Sequence, residues 1–160
     1  MLTRRRHETA AHYRMRASGR IWIAAPPCSI WDLVADVTRM GEWSPETYKA
    51  EWLGGATAPA VGARFRGSNR RGLQRWSTRP RVKVCDPGRE FTFVLGTRHH
   101  DFVVWRYEFE PVDNGTLVSE SVTVRGYALY GLLRPRRREA QLAEGIRVTL
   151  ARLKIAAELR

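Results

Sequence analysis

The stretch Arg137-Arg-Glu-Ala-Gln-Leu-Ala-Glu-Gly-Ile-Arg-Val-Thr-Leu-Ala-Arg-Leu-Lys-Ile-Ala-Ala-Glu-Leu-Arg160 decides how the rest of the chain must fold. At the helical period, Leu142, Ile146, Leu150, Leu153 and Ala157 recur three or four residues apart and form one apolar stripe. Arg147, Arg152, Lys154 and Glu158 fall on the other faces. Pro135 stands just before the run and suits the start of a helix. At 1.5 Å per residue the helix is about 33 Å long. A rod of that length with one apolar face needs a broad apolar surface to lie on.

The preceding chain supplies that surface as alternating strands. Gly19 to Ala25 reads as a first strand, ended by Pro26-Pro27-Cys28-Ser29, with Ser29 placed to cap a helix. Ile30, Leu33, Val34 and Val37 give a short amphipathic helix from Ile30 to about Met40, broken at Gly41. Glu42–Glu46 reads as a turn or a second short helix, and Tyr48–Leu53 as a strand closed by Gly54-Gly55. Strands then follow at Gly62–Arg70, Arg75–Cys85, Glu90–Gly96, Phe102–Glu110 and Thr116–Val124. Asp113-Asn114-Gly115 between the last two is a strong hairpin signal. Along each strand one side is apolar and the other charged. Phe65, Gly67 and Asn69 oppose Arg64, Arg66 and Arg70, and Trp76, Thr78, Val82 and Val84 oppose Arg75, Arg79, Arg81 and Lys83. Phe91, Phe93 and Leu95 share a face, as do Val103, Trp105, Tyr107 and Phe109. The reading is an α+β chain whose antiparallel sheet of about six to seven strands has one wet face. Pro80 predicts an edge position or a bulge.

A chain of 160 residues that is 43% hydrophobic fits one domain, taken as 18–160 behind a basic, mobile arm at 1–17. Two cysteines, Cys28 and Cys85, outside any CxxC pattern, read as reduced thiols. No apolar run approaches the ~20 residues of a membrane span, and Met1-Leu-Thr-Arg-Arg-Arg lacks the apolar region of a signal peptide, so a cytoplasmic location is expected. The net charge of +12 is unevenly placed. Residues 64–83 hold Arg64, Arg66, Arg70, Arg71, Arg75, Arg79, Arg81 and Lys83 with no acid, a net of +8. Residues 1–16 and 134–138 add +4 each, so the remainder is about −4. An excess this local points to an anionic partner, or else to arginine used as a default surface residue.

Ile30-Trp-Asp-Leu-Val-Ala-Asp-Val-Thr-Arg-Met-Gly-Glu-Trp-Ser-Pro-Glu resembles the signature of the START-like (SRPBCC) superfamily of polyketide cyclase/dehydrase and lipid-transport proteins. Val61-Gly-Ala-Arg-Phe-Arg-Gly, Trp105-Arg-Tyr-Glu-Phe-Glu-Pro and Leu150-Ala-Arg-Leu-Lys continue the likeness in order, over about residues 18–158. The resemblance implies a helix-grip fold, a curved sheet wrapped on the long C-terminal helix, with a cavity between the two. It implies no shared catalytic motif and no cofactor, because carriers, cyclases and coenzyme-binding chaperones share this fold.

The apolar register supplies a lining for such a cavity: Trp43, Phe65, Trp76, Phe91, Phe93, Trp105 and Tyr107, with Leu142, Ile146 and Leu150 opposite. The alternative is that these side chains fill the interior. Asn69, Thr78 and Glu120 are the polar residues in phase with that face. A carboxylate on an apolar wall must pair or hold its proton through a raised pKa, and either state lets it orient a ligand or act as acid or base. The expectation is a carrier of a small hydrophobic ligand, lipid or polyketide-like, rather than an enzyme. A cyclase or dehydratase with Glu120 as acid/base is the competing class.

A basic module is the third class, with Arg64, Arg66, Arg70, Arg75, Arg79, Arg81 and Lys83 as an anionic-surface patch. An anionic membrane is then the partner, and nucleic acid is disfavoured because the aromatics alternate inward. His99-His100-Asp101 reads as a turn rather than a metal site, and no Walker loop, dinucleotide fingerprint or Gly-x-Ser-x-Gly is present. The apolar run Gly126-Tyr-Ala-Leu-Tyr-Gly-Leu-Leu-Arg-Pro fits a lid, a membrane-touching loop, a dimer contact or plain packing under the helix. Monomer and homodimer are equally compatible.

Overall fold

Alternation begins earlier than Gly19. In the computed structural model, which describes residues 13–125 and 135–159, strand β1 runs Tyr13–Ile23. Met15, Ala17 and Ile23 are buried while Arg16 and Arg20 are exposed. β1 pairs with the penultimate element along its whole length, from Tyr13↔Arg125 to Ile23↔Thr116. The basic arm assigned to 1–17 therefore gives up Tyr13–Ala17, because a two-residue period survives under the arginines that hide it. Residues 1–12, with His7 and His12, and residues 126–134 of the apolar run lie outside the described residues.

Helix α1 (Pro27–Ala35) buries Ile30, Leu33 and Val34 and leads into a 3₁₀ helix, Val37–Glu42, whose Asp36 side chain accepts from the Thr38 amide. The cap assigned to Ser29 falls inside α1, and Pro26 stands at its N-terminus without a side-chain cap. The strands that follow are β2 (Thr47–Leu53), β3 (Arg64–Arg71), β4 (Gln74–Thr78), β5 (Arg81–Asp86), β6 (Glu90–Gly96), β7 (Asp101–Val112) and β8 (Gly115–Arg125). They form one antiparallel sheet in the order β1-β8-β7-β6-β5-β3-β2, with β4 paired to β3. Helix α2 (Pro135–Glu158) lies across it and buries Leu142, Ile146, Leu150, Leu153 and Ala157. This is the helix-grip architecture.

Two local departures have clear causes. Pro80 splits the expected 75–85 strand into β4 and β5, since proline has no N–H to give a ladder. A bulge then falls between Val82 and Val84, pairing Val84 with Thr92 and Cys85 with Phe91. That extra residue turns Val84 away from the inner face and packs Cys85 against the core instead. The 113–115 hairpin forms as expected, with Asp113 and Asn114 at φ 48° and 61° in the left-handed region a tight turn demands.

Sheet and helix meet closely at Gly19. A Cβ there would lie 2.9 Å from Ile146 Cγ2 and 3.3 Å from Leu150 Cδ1. Gly19→Val should therefore push α2 off β1 and lower stability by about 1–3 kcal/mol, read as a shift of the urea midpoint.

Candidate functional site

The inner face carries a chain of aromatic contacts across the sheet. Trp52 on β2 meets Phe65 edge-on at 5.8 Å, Phe65 meets Phe93 at 5.3 Å, and Phe93 stacks on Trp105 at 6.4 Å. Phe65 reaches Phe93 although β5 separates their strands, which measures how strongly the sheet curls. α2 does not fill the hollow completely. Between them lies a cleft of ≈ 700 Å³ counted with its open mouth, of which ≈ 70 Å³ admits the centre of a water molecule. Set against the about 300–1,000 Å³ of pockets for drug-sized ligands, the space free inside this slot is small.

Nine of the thirteen lining residues anticipated from sequence border this slot: Phe65, Asn69, Thr78, Phe93, Trp105, Tyr107, Glu120, Leu142 and Ile146. The other four do not. Trp43 is buried beside the 3₁₀ helix with the Arg39 guanidinium 5.8 Å over its ring. Phe91 packs edge-on against Trp31 of α1 at 6.2 Å. Leu150 faces β1 near Gly19. Trp76 is half-buried with Arg71 5.6 Å from its ring. All four share the apolar register, but α1, the 3₁₀ helix and β1 cover Phe91, Trp43 and Leu150 and Arg71 lies over Trp76, and register alone does not say what covers a face.

The slot's rim comes from positions the sequence did not single out. Ser44, Pro45 and Glu46 precede β2 and Thr47 begins it, while Gln141, Gly145 and Thr149 come from α2. Arg138, in the first turn of α2, is buried at 4% exposure and forms a two-pronged ion pair with Glu46, with Nη2 2.9 Å from Oε2. Arg71 approaches the same carboxylate at 3.5 Å. The signal was present: Arg138 lies four residues before Leu142, on the apolar stripe, where a charge needs a partner.

The chemistry concentrates on β7 and β8. Tyr107 and Glu120 are directly opposed in register, and the Tyr107 hydroxyl donates to Glu120 Oε1 at 2.7 Å. Glu120 Oε2 is the one buried side-chain polar atom without a partner among the described residues. Burial pushes the Glu120 carboxyl up to about 8, against the pull of the Tyr107 hydrogen bond. Burial likewise raises Tyr107, helped by the neighbouring carboxylate. At neutral pH Glu120 is therefore mostly protonated, and Oε2–H is a donor on an aromatic wall. A second polar group faces it from β2–β4: the Thr47 hydroxyl donates to Asn69 Oδ1 at 2.7 Å, and Asn69 Nδ2 donates to the Gly67 carbonyl at 3.2 Å. That cluster satisfies itself; Glu120 does not.

Elsewhere the polar candidates have structural roles. Thr97 Oγ1 accepts from the amides of His99 and His100 in the β6–β7 turn, and Asp101 pairs with Lys83 and Arg81. Among the described residues no group of three or more His, Cys, Asp or Glu is placed to hold a metal ion. No described helix is long and apolar enough to cross a membrane.

Comparison with known proteins follows the same lines. No curated protein matches the chain. A polyketide-cyclase-like protein of Corynebacterium glutamicum is 30% identical in sequence, with a TM-score of 0.65 over 92% of this chain and 94% of that one. A START superfamily protein of Mycobacterium smegmatis superposes with a TM-score of 0.72 at 16% identity, covering 90% and 97% of the two chains. The di-domain ARO/CYC StfQ of the steffimycin biosynthetic pathway gives 0.72 at 13% identity, over 91% of this chain and 51% of its own. The last two likenesses speak for the fold alone. The profile described as polyketide cyclase/dehydrase and lipid transport matches residues 14–158, and the chain belongs to that START-like family.

Proposed function

We propose that the slot binds one small, slender, hydrophobic molecule of lipid or polyketide type, oriented by a hydrogen bond from protonated Glu120 to a carbonyl or hydroxyl oxygen. The observation that carries this reading is the unpartnered Oε2 on the aromatic wall of the slot. Buried polar atoms are almost always satisfied, and a ligand oxygen is the natural complement. The aromatic walls supply flat contact surface, and the slot's open side supplies access. The setting is cytoplasmic, for a monomer or a homodimer.

Two experiments test the reading. Native mass spectrometry of the purified protein, with organic extraction, identifies a co-purifying apolar molecule. An acyl-naphthalene fluorophore, flat and carbonyl-bearing, reports affinity. Its binding should weaken about tenfold as Glu120 ionises above pH 8, because a donor is exchanged for a buried charge. Glu120→Gln keeps a donor and should bind independently of pH, and Glu120→Leu should bind weakly throughout. A protein that arrives empty and takes up no such probe would sink the proposal.

A second reading draws on the raised pKa. A carboxyl that holds its proton near neutrality, hydrogen-bonded to a phenol, is suited to protonate the leaving hydroxyl of a cyclising or dehydrating polyketide. Glu120→Gln separates the two: it retains binding under both, and abolishes turnover under the second alone.

A further inference from the structure

On the outer side of the β3–β4 hairpin the structure stacks like charges. Arg70 stands directly opposite Arg75, and beyond the hairpin Arg64 of β3 stands opposite Arg81 of β5. Facing like charges destabilise a sheet, and the acids nearby are already committed. Glu51 takes Arg66 and Lys49, Asp101 takes Arg81 and Lys83, and Glu46 takes Arg71 and Arg138. Arg64, Arg70, Arg75 and Arg79 have no ion pair among the described residues; Arg70 alone has another contact, 5.4 Å over the exposed Tyr48 ring. At the hairpin tip, just beyond the Arg70–Arg75 pair, Leu73 is fully exposed at 103%. Nothing within the fold accounts for an apolar side chain held out in water amid uncompensated guanidinium groups.

We propose that this hairpin docks the protein on an anionic lipid surface, with Leu73 entering the acyl boundary and Arg70, Arg75 and Arg79 meeting lipid phosphates. The leucine decides the class of partner, since a nucleic acid offers it nothing while a bilayer does. Docking there also brings the slot to the membrane, because Gly67, Asn69 and Thr78 on the other face of the same hairpin line it.

The test is co-sedimentation with vesicles of phosphatidylcholine alone or with 30% phosphatidylserine. The protein should bind the serine-lipid vesicles and release them at high salt. At about fivefold per arginine, Arg70→Gln/Arg75→Gln/Arg79→Gln should weaken binding about a hundredfold, and Leu73→Ser about tenfold. All four positions are exposed, so circular dichroism should be unchanged. Equal binding to both vesicles, no binding, or binding indifferent to either variant overturns the proposal. So does tighter, arginine-dependent binding to a single-stranded RNA that Leu73→Ser leaves intact. Vesicle binding is read without any cavity ligand, so its failure and that of the ligand proposal are separable.

Discussion

Wild-type protein should lose stability as pH rises from 4.5 to about 8, and Glu120→Gln should remove most of that loss. The unfolded chain releases the Glu120 proton near the ordinary value of 4.5, whereas the folded chain keeps it to about 8. Between those values the native state binds one proton more than the unfolded state, so unfolding free energy falls with pH. The stabilisation is complete below 4.5, declines across the window, and is gone above 8. At 1.36 kcal/mol per pH unit the full span amounts to about 5 kcal/mol. Glu144, held low by its Arg147 hydrogen bond, and Glu158, held low by the Ala24 amide and Lys154, act in the opposite direction and at lower pH. Urea midpoints at pH 5, 7 and 9 give the result directly. Glu120→Gln should match wild type within about 1 kcal/mol at pH 5 and exceed it at pH 9. Tyr107→Phe should carry the decline on to higher pH, because it removes the hydrogen bond that favours the ionised form. Parallel slopes for wild type and Glu120→Gln would refute the assignment of a buried neutral acid.

How much of this was legible in the sequence depends on whether one period or several elements were needed to see it. The period-2 alternation of β3, β6, β7 and β8 and the period-3.6 stripe of α2 are properties of single segments, and they placed Phe65, Phe93, Trp105, Tyr107, Glu120, Leu142 and Ile146 on the slot's wall. Glu120 was legible for the same reason: a carboxylate in phase with Val118, Val122 and Val124 has nowhere to go but inward. What failed was everything decided by a neighbour. Val84 and Cys85 exchange faces at a bulge whose cause lies in the pairing with β6. Phe91 and Trp43 are covered by α1 and the 3₁₀ helix, not by their own strand or turn. Met15 and Ala17 belong to a strand because β8 and α2 flank them, against a local composition that reads as a basic arm. Arg138 was hidden differently. Its basic neighbours Arg136 and Arg137 are exposed, and a charge count treats all three alike.

That buried arginine carries the second large effect. Arg138→Ala should destabilise the protein by about 3 kcal/mol, since removing one partner of a buried pair strands the other charge. Glu46 is half-buried at the slot's rim, and Arg71 at 3.5 Å offers it only partial replacement. The location magnifies the loss. The first turn of α2 contains no acidic residue, so Glu46 is also the negative charge beside a helix N-terminus, where it is favoured. With Arg138 gone the helix start and the turn ahead of β2 lose their charge-assisted tie, and Ser44, Pro45 and Glu46 of that turn line the slot. A double-mutant cycle separates this pair from general packing. Arg138→Met/Glu46→Gln should recover about 2 kcal/mol relative to the sum of the single variants, because both buried charges leave together. The exposed Arg147–Glu144 pair on the same helix provides the contrast, and Glu144→Ala should leave the urea midpoint essentially unchanged. If Arg138→Ala proves as mild as Glu144→Ala, the pair is an ordinary surface contact and the rim of the slot is held by apolar packing of Pro45 against α2 instead.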